Sequence, residues 1–169
     1  ASAPNEAKAL LRKLLSVQNQ DGSAMHQFFP LTMEANEGDS REEGNKRVYG
    51  DDHLWGVLAV CAYLKETGDY DFLEEKITFY NKALPLLERE EGSVLEHLRR
   101  AVAYTKANVG RHGLPLLGFA DWNDTVNLHG DAESLFIANM YGVALCEIID
   151  LLEHLGVAEE VASLHKDWN

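Results

Sequence analysis

The sequence predicts an all-α protein assembled from helical hairpins. Apolar residues recur at helical spacing in one segment after another. No stretch alternates apolar and polar residues for long enough to mark a strand. The helices are separated by two long polar loops, residues 21–51 and 111–130. Long loops inside a compact domain usually carry function, and this alternation suits hairpins whose loops gather on one face.

The first helix is expected over about residues 5–17, capped by Asn5, with Ala7, Leu10, Leu11 and Leu14 inward. A second runs over about 52–66, with Trp55, Leu58, Cys61 and Ala62 inward, and Gly68 ends it. Residues 71–87 read as one or two short helical pieces interrupted near Pro85. Ser93 and Glu96 fit a capping box. The helix that follows carries Leu95, Leu98 and Val102 and stops at Gly110. The longest helix spans about 132–155, with Leu135, Ala138, Tyr141, Gly142, Leu145, Ile148, Ile149 and Leu152 on one stripe and Gly156 after it. A last short helix covers about 158–165.

The chain has 169 residues, 46% of them apolar, which is enough for one domain with a core. Its formal charge is −13, from 28 acidic and 15 basic residues. That balance argues against nucleic acid and against anionic membrane surfaces. It suits a neutral ligand, and an anionic co-substrate would need locally placed donors. Cys61 and Cys146 both fall on apolar helical patterns and are expected to be buried free thiols. No uninterrupted apolar run approaches the ~18 residues of a membrane-spanning helix. The start, Ala1-Ser2-Ala3-Pro4, has no signal-peptide pattern, so a reduced cytoplasmic setting is expected.

The richest chemistry lies in Gly118-Phe119-Ala120-Asp121-Trp122-Asn123-Asp124-Thr125. Two carboxylates, an indole and an amide lie together between loop-forming glycines. A flat indole can cover a pyranose face, and carboxylate and amide oxygens can accept from hydroxyls. The functional reading makes one carboxylate a general acid and Trp122 the wall of a sugar subsite. The plain alternative is a turn held by Asx hydrogen bonds. Asp51 and Asp52 precede an apolar helix. One of them is expected to cap it, since carboxylates are stabilised at helix N-termini. The other is placed to accept from vicinal sugar hydroxyls, with Arg47 steadying it or donating to a hydroxyl. The stretch His26-Gln27-Phe28-Phe29-Pro30-Leu31-Thr32 suits a cleft edge, or a surface loop with an anchored Phe. His53, His97, His154 and His165 fall in helices among mostly polar neighbours. No His-x-x-x-His or Cys-x-x-Cys spacing points to a metal. No phosphate-cradling Gly-x-x-x-x-Gly-Lys-Ser/Thr loop and no Gly-x-Ser-x-Gly elbow occurs.

Five motifs then follow in order: Pro30-Leu31-Thr32, Tyr49-Gly50-Asp51-Asp52-His53-Leu54-Trp55, Tyr63-Leu64-Lys65-Glu66-Thr67-Gly68-Asp69, Gly113-Leu114-Pro115 and Asp121-Trp122-Asn123-Asp124. Together they resemble the inverting β-glycoside phosphorylases: cellobiose, cellodextrin, chitobiose and oligo-β-glucan phosphorylases and the related cyclic β-glucan synthases. Asp124-Thr125-Val126-Asn127-Leu128 with Ala132-Glu133-Ser134 looks closest to the cellodextrin phosphorylase branch. The resemblance implies part of an (α/α)6 barrel catalytic domain. It implies phosphorolysis, in which a β-linked oligosaccharide and inorganic phosphate give a sugar 1-phosphate with inverted anomeric configuration. Phosphate is then a co-substrate, and no cofactor or metal is implied. By the same resemblance Asp124 matches the general acid and Trp122 a residue lining the subsite of the transferred glucosyl. Asp51 or Asp52, with Arg47, matches the pair that holds hydroxyls of that sugar. Asp121 and Asn123 complete the candidate site. The implied partners are the remainder of the same enzyme and a second copy in a homodimer.

The chemistry agrees with such a role. An inverting hydrolase needs two carboxylates, one of them to activate water. Phosphate is already a nucleophile, so a single acid suffices. That acid needs apolar or like-charged surroundings to hold its proton, which Trp122 and Asp121 are expected to supply. The chain also departs from the family pattern. A complete barrel of this kind has twelve helices, and about six are expected here. By the resemblance, the family's N-terminal β-sandwich is not expected within residues 1–169, and its phosphate-holding residues are expected outside them. The chain therefore reads as the central segment of a catalytic domain, inactive in isolation. An inverting hydrolase with Glu133 as second carboxylate, a non-catalytic sugar-binding module, and a helical scaffold with a buried Trp122 are the alternatives.

Overall fold

In the computed structural model the described residues are 3–36, 48–124, 126, 128 and 130–168. Five α-helices dominate them: α1 (Pro4–Leu15), α2 (Asp52–Thr67), α3 (Val94–Ala107), α4 (Leu135–His154) and α5 (Ala158–Trp168). The mostly helical reading holds. α4 packs on α2, α3 and α5, while α2 also packs on α1 and α3. The core lies between these helices and includes Leu54, Val57, Leu64, Phe72, Leu98, Ile137, Leu145, Ile148 and Leu152.

The caps explain most boundaries. Ser93 Oγ accepts from the Glu96 amide at 3.1 Å and opens α3. The other half of the expected box does not form, because the Glu96 carboxylate turns to Arg100, 2.9 Å away. Ser134 Oγ accepts from Ile137 N at 3.2 Å, so α4 begins at Leu135 rather than near 132. Gly68 ends α2 in the left-handed region at φ 68°. α1 starts with Pro4 in its first turn, and Ala3 rather than Asn5 holds the cap position.

Several expectations about helix faces fail. Ala7 and Leu10 on α1, Trp55 and Ala62 on α2, and Leu135 on α4 are exposed. α2 is apolar on nearly every side, so periodicity cannot choose its buried face. It buries His53, Leu54, Val57, Val60, Cys61, Tyr63 and Leu64. Cys61 is buried, and burial pushes its thiol up to about 12. Cys146 is exposed, contrary to expectation. α4 is long and apolar enough to cross a bilayer by length and composition, although no uninterrupted apolar run was expected to be. Glu147, Asp150 and Glu153 interrupt it, and it packs against three other helices.

Strands exist but are two or three residues long: β1 (Gln27–Phe28) pairs with β2 (Ala35–Asn36), and β3 (Lys76–Thr78) with β4 (Glu91–Ser93), both antiparallel. The 71–87 region holds two 3-10 turns, Tyr70–Glu74 and Leu86–Glu88, the second opening after Pro85. His53 and His97 are buried, not polar-surrounded. His97 contacts Gln18 Oε1 (2.6 Å) and the Ile77 carbonyl (3.1 Å) and stacks on Phe79.

Candidate functional site

The two motifs singled out in the sequence meet through backbone pairing. Tyr49 bridges Gly118 in antiparallel sense. Phe119 N donates to Val48 O at 2.9 Å, and Gly50 N donates to Ala120 O at 3.0 Å. These rungs fix the residues before α2 against the start of the 121–124 loop. Glycine is required on both sides. A Cβ on Gly118, at φ +68°, would lie 2.4 Å from Val48 O, and one on Gly50 would lie 2.3 Å from Ile137 Cδ1.

Asp121 is buried and spends its oxygens inside the protein. Oδ1 accepts from Asn123 N at 3.1 Å, and Oδ2 accepts from Ser134 Oγ at 2.9 Å. Asp121 thus ties the loop to the first turn of α4. The Asx bond of the plain turn reading is present, at Asp121. Trp122, Asn123 and Asp124 are exposed. Trp122 keeps 68% of its surface and lies tilted at 6.2 Å from Phe136. This exposure removes the scaffold reading that needed a buried Trp122. It also means that Trp122 does not enclose Asp124 with apolar surface among the described residues.

Asp51 is 2% exposed. It occupies the N-cap position of α2, as expected of one of the pair, with Asp52 in the first turn, but it makes no side-chain cap bond. Its Oδ2 instead accepts from Trp55 Nε1 at 3.0 Å, which helps to hold that half-exposed indole at the surface. Burial raises the Asp51 carboxyl, the Trp55 bond lowers it, and Asp121 raises it further. Asp52 is partly open, with 19% of its side chain exposed. Its carboxyl is pushed up to about 6, first by burial and then by Asp51 and Asp124, while His26 opposes the shift. The start of α2, with Asp52, is set beside the 121–124 loop by the backbone pairing, although Asp52 and Asp124 lie 72 positions apart (124 − 52 = 72). Arg47 lies outside the described residues, as do Thr125 and Asn127.

His26 sits beside Asp52, with Nδ1 at 3.3 and 3.2 Å from the two carboxylate oxygens. Its ring stacks on Tyr49 at 3.7 Å and 7°. Sequence reasoning placed His26 on a cleft edge but missed this pairing, for which no local spacing gives a signal. Phe28 is the anchored member of that stretch, packed against Val17 and Tyr80, while Phe29 and Leu31 are exposed. A cavity of about 300 Å³ opens between α1, α2 and α3, and His26, Asp52 and Trp55 lie in its wall. Its lining does not include Asp121, Trp122 or Asp124.

Glu133 has other work. Its carboxylate accepts from the amides of His112 (2.9 Å) and Leu114 (3.2 Å) and contacts the His112 ring. Burial pushes this carboxyl up, but those donors win and hold it below its usual value. Both of its oxygens are used in closing the 110–114 turn, which leaves it poorly suited to activating water.

Residues 1–168 match the family described as glycosyl hydrolase 94 superfamily, catalytic domain. The chain belongs to that family. Similar curated proteins include the solabiose phosphorylase of Paenibacillus borealis, 33% identical over 97% of this chain and 20% of that protein. The N,N'-diacetylchitobiose phosphorylase of Vibrio proteolyticus is 33% identical over 78% of this chain and 16% of its own length. The 1,2-beta-oligoglucan phosphorylase of Listeria innocua is 32% identical over 70% of this chain and 11% of its own length. The chain thus spans about a fifth of the length of such relatives. The resemblance of the five motifs to β-glycoside phosphorylases is therefore shown, several of the similar proteins being phosphorylases by name.

Proposed function

We propose that this chain is the central, acid-bearing segment of an inverting phosphorylase of β-linked gluco-oligosaccharides, built on part of an (α/α)6 barrel. Asp124 is the general acid. Its proton passes to the glycosidic oxygen as the bond to the anomeric carbon breaks, while an oxygen of inorganic phosphate bonds that carbon from the opposite face. The products are an α-sugar 1-phosphate and a shortened oligosaccharide. Trp122 offers its exposed indole face to the transferred glucosyl. Asp52 accepts from hydroxyls of that sugar, Asn123 borders it and Arg47 assists from its place before Tyr49. Asp51 and Asp121 serve from behind, holding Trp55 and the α4 cap.

The observation that carries this reading is the backbone pairing of 48–50 with 118–120, which sets the start of α2 against the 121–124 loop. The commitment of Glu133 to the 110–114 turn weighs against the hydrolase reading. Among acceptors, cellodextrins are the proposed substrate class, on the motif 124–128.

The test uses the full-length protein that contains this segment. Incubation with cellobiose, cellotriose and β-1,2- or β-1,3-linked oligomers should release sugar 1-phosphate only when phosphate is supplied. Release of free sugar at the same rate without phosphate would sink the proposal in favour of hydrolysis. Sugar binding without turnover of any of these substrates would favour a binding module.

A further inference from the structure

We propose that His26 is a positioning residue for the sugar-holding carboxylate of Asp52, and that the row of rings His26–Tyr49–Phe119, stacked at its first contact and tilted at its second, ties this carboxylate to the 121–124 loop. The inference rests on the reading of Asp52 as the hydroxyl acceptor. A carboxylate at the mouth of a cavity can rotate about its side-chain torsions unless a second group fixes it. His26 Nδ1 faces both oxygens of Asp52, at 3.3 and 3.2 Å. Since a carboxylate only accepts, that nitrogen carries the proton. The imidazole is fixed in turn, because it lies flat on Tyr49 at 3.7 Å. Tyr49 is buried, bridges Gly118 and leans on Phe119 with ring centroids 5.3 Å apart.

His26 is also placed from its own side. Met25 N donates to Val17 O at 3.2 Å, and Gln18 bridges Ala24, so the turn after α1 delivers the ring to the site. Three segments far apart in sequence thus converge on one carboxylate. Phe119, five positions before Asp124 (124 − 119 = 5), ends the relay on the acid loop. Displacing His26 should loosen Asp52 without touching the acid itself.

A double-mutant cycle in the full-length enzyme tests this. His26→Ala should raise KM for the oligosaccharide about tenfold, the scale of one lost charge-assisted hydrogen bond, with a smaller change in kcat. Asp52→Asn should raise it at least as much. The double variant should match Asp52→Asn alone, because His26 acts through Asp52. His26→Asn, whose amide reaches where Nδ1 stands, should recover most of the loss. His26→Phe, which keeps the stack and loses the donor, should not. Far-UV circular dichroism of each variant checks the fold. Additive effects of His26→Ala and Asp52→Asn, or full activity in His26→Phe, would overturn the proposal and leave the reading of Asp52 standing. An Asp52→Asn variant with unchanged KM would overturn both.

Discussion

The Cα of Gly118 faces the carbonyl of Val48 so closely that a Cβ there would lie 2.4 Å from the oxygen. This contact sets how near the 121–124 loop lies to the start of α2.

Gly118→Ala should therefore open the bridge. The residue would have to hold φ at +68° and clear Val48 O at the same time. Left-handed backbone strain alone costs about 1–3 kcal/mol. A denaturation midpoint lowered by an amount in that range, with a larger fractional loss of phosphorolysis, is the expected result. Unchanged activity would show that the bridge does not position the site.

Asp124→Asn should lower kcat about 10²- to 10⁴-fold, the usual weight of general acid catalysis, with KM changed little. The side chain is exposed, so stability should stay within about 0.5 kcal/mol. Sugar binding by the variant, followed calorimetrically, separates lost chemistry from lost affinity. A variant with near-normal kcat would move the acid elsewhere.

Trp122→Ala should weaken the complex with the oligosaccharide while leaving the fold intact. The indole is 68% exposed and lies tilted at 6.2 Å from the Phe136 ring. A single stacked aromatic is worth about 1 kcal/mol, so KM should rise several-fold. Equal melting temperatures with an unchanged KM would remove Trp122 from the sugar site.

Stability should fall as pH drops from about 6.5 to about 4, in part because of His53. Burial lowers this imidazole to about 4 in the folded protein, while an unfolded His titrates near 6.5. Between those values the unfolded chain binds the proton and the folded one does not, so stability rises with pH across this window. The full difference is about 3 kcal/mol. His53 Nε2 lies 2.6 Å from Thr105 Oγ1, and His53→Gln keeps a hydrogen-bonding group there without titrating. A flatter stability–pH curve in that variant is the expected outcome, and an identical slope would assign the acid sensitivity to other groups.

The helices were legible where the sequence carries punctuation. Ser93, Gly68 and Gly156 mark ends and the apolar spacing marks length, whereas the Ser134 cap of α4 was not read and its start was placed three residues early. The faces were less legible where a helix is apolar all round, which is why Trp55 was placed inward and stands half in solvent. The two- and three-residue strands are too short for alternation to show. The 121–124 loop stood out by composition, since Asp, Trp and Asn cluster there. The link between His26 and Asp52 could not, because it depends on Tyr49 pairing with Gly118, which no local pattern encodes. Asp121 looked like a sugar ligand by its neighbours, and its partner Ser134 lies thirteen positions away on the helix it caps.

The Tyr49–Gly118 bridge also has a bearing on kinetics. It closes a loop of 69 positions (118 − 49 = 69) that contains α2 and α3. Non-local closures reward the chain only after their entropy has been spent. The helical hairpins can form from local contacts, whereas the carboxylate cluster exists only after this late rung is made. The site is accordingly expected to depend on this non-local rung, and opening the rung should separate Asp52 from the 121–124 loop while the helices persist. Substitutions at Gly50 or Gly118 should speed unfolding more than they slow folding.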